Sequence, residues 1–211
     1  MTGADFVAAN TTIARAPLVP EVALHLASEI TPIWQATEAW LKERNVEPPF
    51  WAFAWPGGQA LARAVLDGAV PVEGRRVLDF AAGCGVAAIA AAQRGAVVEA
   101  AEIDPLAAAA LRLNAALNGV AMTVTEGDVV GVACRWDVIL AGDVCYEAPM
   151  TAHILPWLRA MAAQCEVFVA DPGRAYLPGV GLDAVARHAV PTSLELEDRT
   201  LREVTIYRMS P

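Results

Sequence analysis

The stretch from Arg76 to Gly95 constrains this chain more than any other. Arg76–Phe80 is a short apolar run with the length of a strand. Gly83-Cys84-Gly85 follows as a turn, and Gly85–Arg94 is an alanine-rich helical segment closed by Gly95. A strand running through a glycine turn into a helix opens a β-α-β unit, which needs a parallel sheet to pack on. The chain then repeats the alternation. Ala96–Ile103 reads as a second strand, and Pro105–Asn118 as a helix with proline in its first turn and Gly119 beyond its end. Ala121–Thr125 and Asp137–Ala141 read as strands, Ala152–Ala163 as a helix and Val167–Ala170 as a fifth strand. Leu182–Ala189 reads as a helix. Thr192–Leu196 and Glu203–Tyr207 alternate as two strands with no helix between them, which predicts an antiparallel hairpin at one sheet edge. The expectation is a doubly wound α/β sheet, mostly parallel.

The front of the chain has a different texture. Residues 1–47 read as a helical extension capping the core, with Pro20–Glu29 and Ile33–Arg44 helical and Thr31-Pro32 between them. The main domain is expected over 48–211. It opens on an aromatic, Gly/Pro-rich segment, Pro48 to Gly58, and a helix over Gln59–Leu66. Of the 211 residues 56% are hydrophobic and 18% charged, so a membrane reading has to be tested. A span needs roughly 18–20 consecutive apolar residues. The longest uncharged stretches, such as Pro48–Ala62 and Phe80–Gln93, are shorter and carry Gly, Pro or Gln. The first twenty residues do not read as a secretory signal, and the four cysteines show no metal-ligand spacing. A net charge of −9 with scattered basic residues opposes a nucleic-acid partner. The expectation is a cytoplasmic monomer without a metal, a membrane partner or a nucleic-acid partner.

In open α/β sheets, ligands bind beyond the carboxyl ends of the strands. Asp79 sits at the end of the first strand, before Gly83 and Gly85, whose lack of side chains lets a ligand approach the backbone at a helix start. Gly83 to Ala88 also meets a relaxed dinucleotide fingerprint, a weak match alone. A carboxylate there repels a pyrophosphate and favours a ligand carrying an ammonium and a sulfonium, the charge pattern of S-adenosylmethionine. Glu102, roughly 20 residues on, is placed to accept from ribose hydroxyls, with Asp104 as the cap of the following helix. Asp128, after the third strand, suits the adenine amine; a plain turn aspartate is the alternative. After the fourth strand come Gly142, Asp143 and Tyr146, where a carboxylate and a phenol can orient an amine for methyl transfer; a cap and a packed tyrosine is the plainer alternative. Asp171 and Arg174 follow the fifth strand on the same rim, where Arg174 can touch substrate or pair with a surface carboxylate.

These residues resemble a known family. Pro49-Phe50-Trp51-Ala52 through Trp55-Pro56-Gly57-Gly58-Gln59-Ala60-Leu61 looks like the front of the seven-β-strand protein-lysine methyltransferases, and within them resembles the electron transfer flavoprotein β-subunit lysine methyltransferases. Val77-Leu78-Asp79 with Gly83-Cys84-Gly85, Ile103-Asp104-Pro105, Asn114 with Leu117-Asn118-Gly119, Gly142-Asp143 with Tyr146, and Asp171-Pro172-Gly173-Arg174 look like that family too. The resemblance runs from about Pro48 to Arg174, and its Trp-Pro-Gly-Gly-Gln and Asp-Pro-Gly-Arg segments are the specific ones. It implies a Rossmann-like, seven-stranded class I methyltransferase sheet and S-adenosylmethionine as cofactor. Trp55 would contact the cofactor, Gly83 and Gly85 its methionine portion, and Gly142 would belong to the same set. Asp143 and Tyr146 would be the catalytic pair, with Trp51, Asp171 and Arg174 facing substrate. Ala81 and Glu102 depart from the family's usual glycine and aspartate.

The implied substrate is lysine on the flavoprotein β subunit. Methyltransferases that act on amide nitrogens or nucleobase amines commonly carry Asn-Pro-Pro-Tyr after the fourth strand, whereas here Asp143 suits an amine that arrives as a cation. The competing readings are methylation of a ribosomal or other cytosolic protein lysine, and methylation of a small amine. A dehydrogenase is opposed by Asp79 and by the lack of a second catalytic domain, and a cofactor-binding module without turnover is opposed modestly by Asp143 and Tyr146.

Overall fold

The computed structural model describes residues 2–28, 49–194 and 197–211. Its frame is a seven-stranded sheet. The strands are β3 (Arg76–Phe80), β4 (Val97–Glu102), β5 (Thr123–Glu126), β6 (Val138–Gly142), β7 (Glu166–Asp171), β8 (Leu182–Pro191) and β9 (Leu201–Met209), in the spatial order β5-β4-β3-β6-β7-β9-β8. The pairs from β5 through to β7 are parallel, and β9 runs antiparallel to both β7 and β8. The chain winds outward from β3 to β5 and then returns to the other side of β3 at β6. The reversal between β3 and β6 is where an open α/β sheet parts to make a ligand crevice.

Side-chain alternation along the central strands divides the core into two layers. Val77, Val138, Leu140, Phe168 and Ala170 face helices α2 (Pro56–Leu66) and α3 (Val86–Gln93). Leu78, Phe80, Ile139, Ala141, Val167 and Val169 face α5 (Ala148–Ala162), through Ile154, Trp157, Leu158 and Met161. Strands covered on both faces need unbroken apolar runs, and Val138-Ile139-Leu140-Ala141 is fully buried. Helix α4 (Pro105–Leu117) follows β4, with Asp104 accepting from the Leu106 N–H at 2.8 Å as its cap.

The N-terminal part carries α1 (Gly3–Asn10), β1 (Thr12–Ala16) and β2 (Val19–Leu26). The helix expected over Pro20–Glu29 is therefore a strand up to Leu26, paired antiparallel with β1. Its free edge is satisfied by side chains. Asn118 of the α4 C-cap accepts from Ala23 N–H at 2.9 Å and donates to Ala23 C=O at 2.6 Å, and Asn114 accepts from His25 N–H at 2.7 Å. Asn114 also donates to Cys84 C=O at 2.9 Å, joining the hairpin to the glycine turn. The expected helix Ile33–Arg44 lies outside the described residues.

A second correction concerns the C-terminal hairpin. Leu182–Ala189 belongs to β8, not to a helix, and 192–194 lie beyond its end, so the hairpin is formed by 182–191 with 201–209. Alanines and charged residues favour a helix locally, but pairing with β9 decides the conformation of an edge segment. Among the described residues no helix is long and apolar enough to cross a membrane.

Candidate active site

The glycine turn after β3 is built by three left-handed residues, Ala81, Gly83 and Gly85, with φ of 53°, 55° and 79°. The two glycines do different work. A Cβ on Gly85 would lie 2.5 Å from Leu111 Cδ2, so that glycine lets α4 pack against the turn. A Cβ on Gly83 would meet nothing within 4 Å, so its backbone faces open space on the side where a ligand can approach. Glu102, at the end of β4, reaches the turn, and its Oε1 accepts from Gly83 N–H at 2.6 Å. Burial raises its pKa. Asp79 is only 3% exposed and lies beneath the turn, accepting from Ala88 N–H at 2.8 Å in the first turn of α3. Burial pushes its carboxyl up to about 8, so in the free protein it holds a proton at neutral pH.

On the other side of the crevice, Asp143 closes β6 at φ 57°. Its Oδ2 accepts from Gly57 N–H at 2.6 Å and Gly58 N–H at 3.2 Å, and its Oδ1 lies 3.2 Å from Arg174 Nη2. The carboxylate thus caps the N-terminus of α2, where free N–H groups and the helix dipole favour an anion. The approach is close enough to demand glycine on both sides. A Cβ on Gly57 would fall 2.5 Å from Asp143 Oδ2 and 2.7 Å from Ala170 C=O, and one on Gly142 would fall 2.8 Å from Gly58 N. Burial lifts the Asp143 pKa to about 6, with Arg174 acting against the rise. Arg174 also pairs with Glu197 at 2.9 Å, and Glu197 in turn accepts from Arg202 at 2.8 Å, so a chain of buried charges joins the β6 loop to the β8–β9 turn.

The remaining sequence candidates separate into rim and interior. Asp128 is half exposed; burial works to raise its pKa, but the bonds from Val130 N–H and His153, at 2.8 and 2.7 Å, hold it below its usual value. Trp55 stands at the N-cap of α2, its indole N–H donating to Phe50 C=O at 2.8 Å. Tyr146 is 40% exposed and lies 5.7 Å from the Phe50 ring. Two expected substrate residues are buried. Trp51 is 2% exposed and packs with Val7, Ala107 and Ala110, because the short 3₁₀ turn Phe50–Ala52 points it inward. Asp171 is 1% exposed and folds its own loop, accepting from Gly173 and Arg174 N–H. Arg174, three-quarters buried, is committed to Asp143 and Glu197.

Sequence reasoning passed over Gly57, Gln59, Phe50, His153 and Glu197 as individual residues. The Gly57-Gly58 pair just inside a helix was a legible signal, since such glycines weaken a helix without a packing reason. Gln59 is buried and pins two segments, donating to Ala54 C=O at 2.7 Å and accepting from Leu18 N–H at 3.2 Å. Cys84 and Cys145 are buried with pKa pushed up to about 12, which removes them as nucleophiles. Among the described residues no group of three His, Cys, Asp or Glu side chains can hold a metal.

The family model for ribosomal protein L11 methyltransferase (PrmA) matches residues 60–165. The electron transfer flavoprotein beta subunit lysine methyltransferase of Xenopus laevis is 35% identical, over 98% of this chain and 87% of the relative. The Homo sapiens protein of the same description is 31% identical, over 98% and 81%. The fold is shared with the magnesium protoporphyrin IX methyltransferase of Synechocystis PCC 6803, with a TM-score of 0.53 and 14% identity over 84% of this chain and 94% of that one. A match of that extent at more than 30% identity shows the family: this chain belongs to the electron transfer flavoprotein beta subunit lysine methyltransferases.

Proposed function

We propose that this protein is an S-adenosylmethionine-dependent protein-lysine N-methyltransferase acting on the β subunit of electron transfer flavoprotein. The observation that carries the reading is the crevice at the β3–β6 reversal, where a turn open over Gly83 is held by Glu102, has Asp79 buried beneath it and carries no basic residue from Asp79 to Val86. That setting suits a cation-bearing nucleoside and disfavours a pyrophosphate.

When bound, the cofactor supplies an electrophilic methyl group on a sulfonium. The protein's own residues then divide the remaining tasks. Gly83, Gly85 and Asp79 would hold the methionine portion, Glu102 the ribose hydroxyls, and Asp128 the adenine amine, with Gly142 and Trp55 at the crevice wall. To serve the ribose, Glu102 would add those bonds to the ones its two oxygens now accept from Gly83 and Ile103 N–H. Tyr146, exposed on the β6 loop, would orient the lysine nitrogen. Asp143 acts by position: with its oxygens on Gly57, Gly58 and Arg174, it fixes the loop that presents Tyr146. Such placement of reacting groups is the main demand of an in-line methyl transfer.

The match to the ribosomal protein L11 methyltransferase model favours a second reading, in which a ribosomal protein is the substrate. That match covers the cofactor half, whereas the flavoprotein-methylating relatives match nearly end to end. We also infer a cytoplasmic setting, which four free cysteines suit, and monomeric action without nucleic acid, which a net charge of −9 suits. Radiolabelled cofactor offered with purified flavoprotein and with ribosomal protein L11, side by side, separates the readings. Label on the flavoprotein β subunit supports the first, and label on L11 alone overturns it.

A further inference from the structure

If the target is a lysine, something at the rim must receive its ammonium, and the three carboxylates beside the β6 loop's start are already committed. Asp143 is bonded to two backbone N–H groups and Arg174, Asp171 is buried, and Glu197 lies between two guanidinium groups. Beside them stands a cluster of rings. Phe50 packs 5.7 Å from Tyr146 at 51° and 6.0 Å from Trp55 at 62°, yet remains 43% exposed. The indole of Trp55 is fixed by its bond to Phe50 C=O, and Trp55 immediately precedes the helix whose first N–H groups bind Asp143. The rings therefore stand beside the β6 loop that carries both Asp143 and Tyr146. Aromatic faces attract ammonium and methylammonium groups through the ring quadrupole, and they do so without the desolvation cost of burying a carboxylate.

We propose that Phe50, together with Trp55 and Tyr146, forms the surface that receives the lysine side chain, with Phe50 binding the cation through its ring face. This rests on the lysine reading above. It makes Phe50 a substrate-binding residue, in the place that the sequence pattern had given to Trp51.

The test replaces Phe50 with mono-, di- and trifluorinated phenylalanine, which keeps the size of the ring and drains its quadrupole step by step. The full-length variants are titrated with choline and with its neutral isostere, 3,3-dimethylbutanol, following the fluorine resonance. The same variants, with Phe50→Leu and Phe50→Tyr, are assayed on flavoprotein β subunit. The expected result is saturable binding of the cation alone, weaker with each fluorine. kcat/KM should fall roughly 3- to 30-fold across the series and in Phe50→Leu, with Phe50→Tyr near wild type and cofactor affinity unchanged. Equal response to cation and isostere, or kcat/KM independent of fluorination, overturns the proposal. So does a loss that follows Glu147→Gln, the exposed carboxylate next to Tyr146, instead of the ring. If wild-type protein leaves the flavoprotein unmethylated while the fluorine trend in cation binding holds, the target assignment fails and the role of Phe50 stands.

Discussion

Two adjacent glycines make opposite predictions. A methyl group on Gly57 would sit 2.5 Å from Asp143 Oδ2, 2.7 Å from Ala170 C=O and 2.8 Å from Asp143 N–H, and two of these three atoms are backbone. Relief requires the start of α2 to lift away from β6 by roughly 0.7–1 Å, to restore ordinary contact distances of about 3.5 Å. Overpacking of this kind costs about 1–3 kcal/mol. Lengthening the 2.6 Å bond from Gly57 to the Asp143 carboxylate forfeits about 1.5–3 kcal/mol more. The sum for Gly57→Ala is about 2.5–6 kcal/mol, a large part of the roughly 5–15 kcal/mol by which a domain is stable. Its thermal midpoint should fall by roughly 5–24 °C. In Gly58→Ala the new methyl group meets only Val86 Cγ1, at 3.3 Å, a side chain that can yield. The gain in helix propensity, up to about 1 kcal/mol, offsets that contact and leaves stability near wild type. Denaturant unfolding of both variants decides the matter. Equal losses, or a Gly57→Ala cost below about 1 kcal/mol, would show that the Gly57–Asp143 approach does not hold the two sides of the crevice together.

Other expectations follow from the charges. Arg174 holds the Asp143 pKa down against burial, so Arg174→Met should raise it above about 6 and move the acid limb of kcat/KM to higher pH; an unmoved limb would detach Asp143 from the reaction. A raised native pKa means that the folded protein binds the extra proton, so ionising Asp143 costs stability as pH rises from about 4 to about 6, over a wider range in the variant. Asp79, at about 8, is protonated in the free protein at pH 7. A cation held over the turn favours its carboxylate, so S-adenosylmethionine should release a proton on binding and bind more tightly as pH rises towards 8. Calorimetry in buffers of different ionisation enthalpy should show that release in wild type, and the same release in Asp79→Asn would refute it. Gly85→Val, with its left-handed φ and Leu111 2.5 Å from the new Cβ, should abolish cofactor binding; wild-type affinity by calorimetry would contradict that.

The parallel half of the fold was legible because its signals are local. Arg76–Phe80 matches the predicted strand residue for residue, and Pro105 with Gly119 marks the helix between them to within a residue. The failures have a common cause. Val19–Leu26 and Leu182–Pro191 are strands because of their partners, β1 with the Asn114 and Asn118 side chains in one case and β9 in the other, and nothing within either segment announces those partners. The same holds at the site. The strand-end acids were found by their position in the chain, but their orientation was not. Asp79 turns under the glycine turn, Asp171 folds back on its own loop, and Trp51 points into the core. Glu197 joins Arg174 across 23 residues, beyond the reach of any motif spacing.

In the proposed reaction, the crevice between β3 and β6 delivers a methyl group to a lysine of the flavoprotein β subunit. The most direct measurement incubates purified protein and electron transfer flavoprotein with S-adenosylmethionine bearing a deuterated methyl group, and then maps the mass increment by peptide sequencing in a mass spectrometer. Deuterated methyl groups are expected on β-subunit lysine nitrogens, and none when Gly85→Val replaces wild type. An unmodified β subunit in the presence of enzyme that binds the cofactor would contradict it.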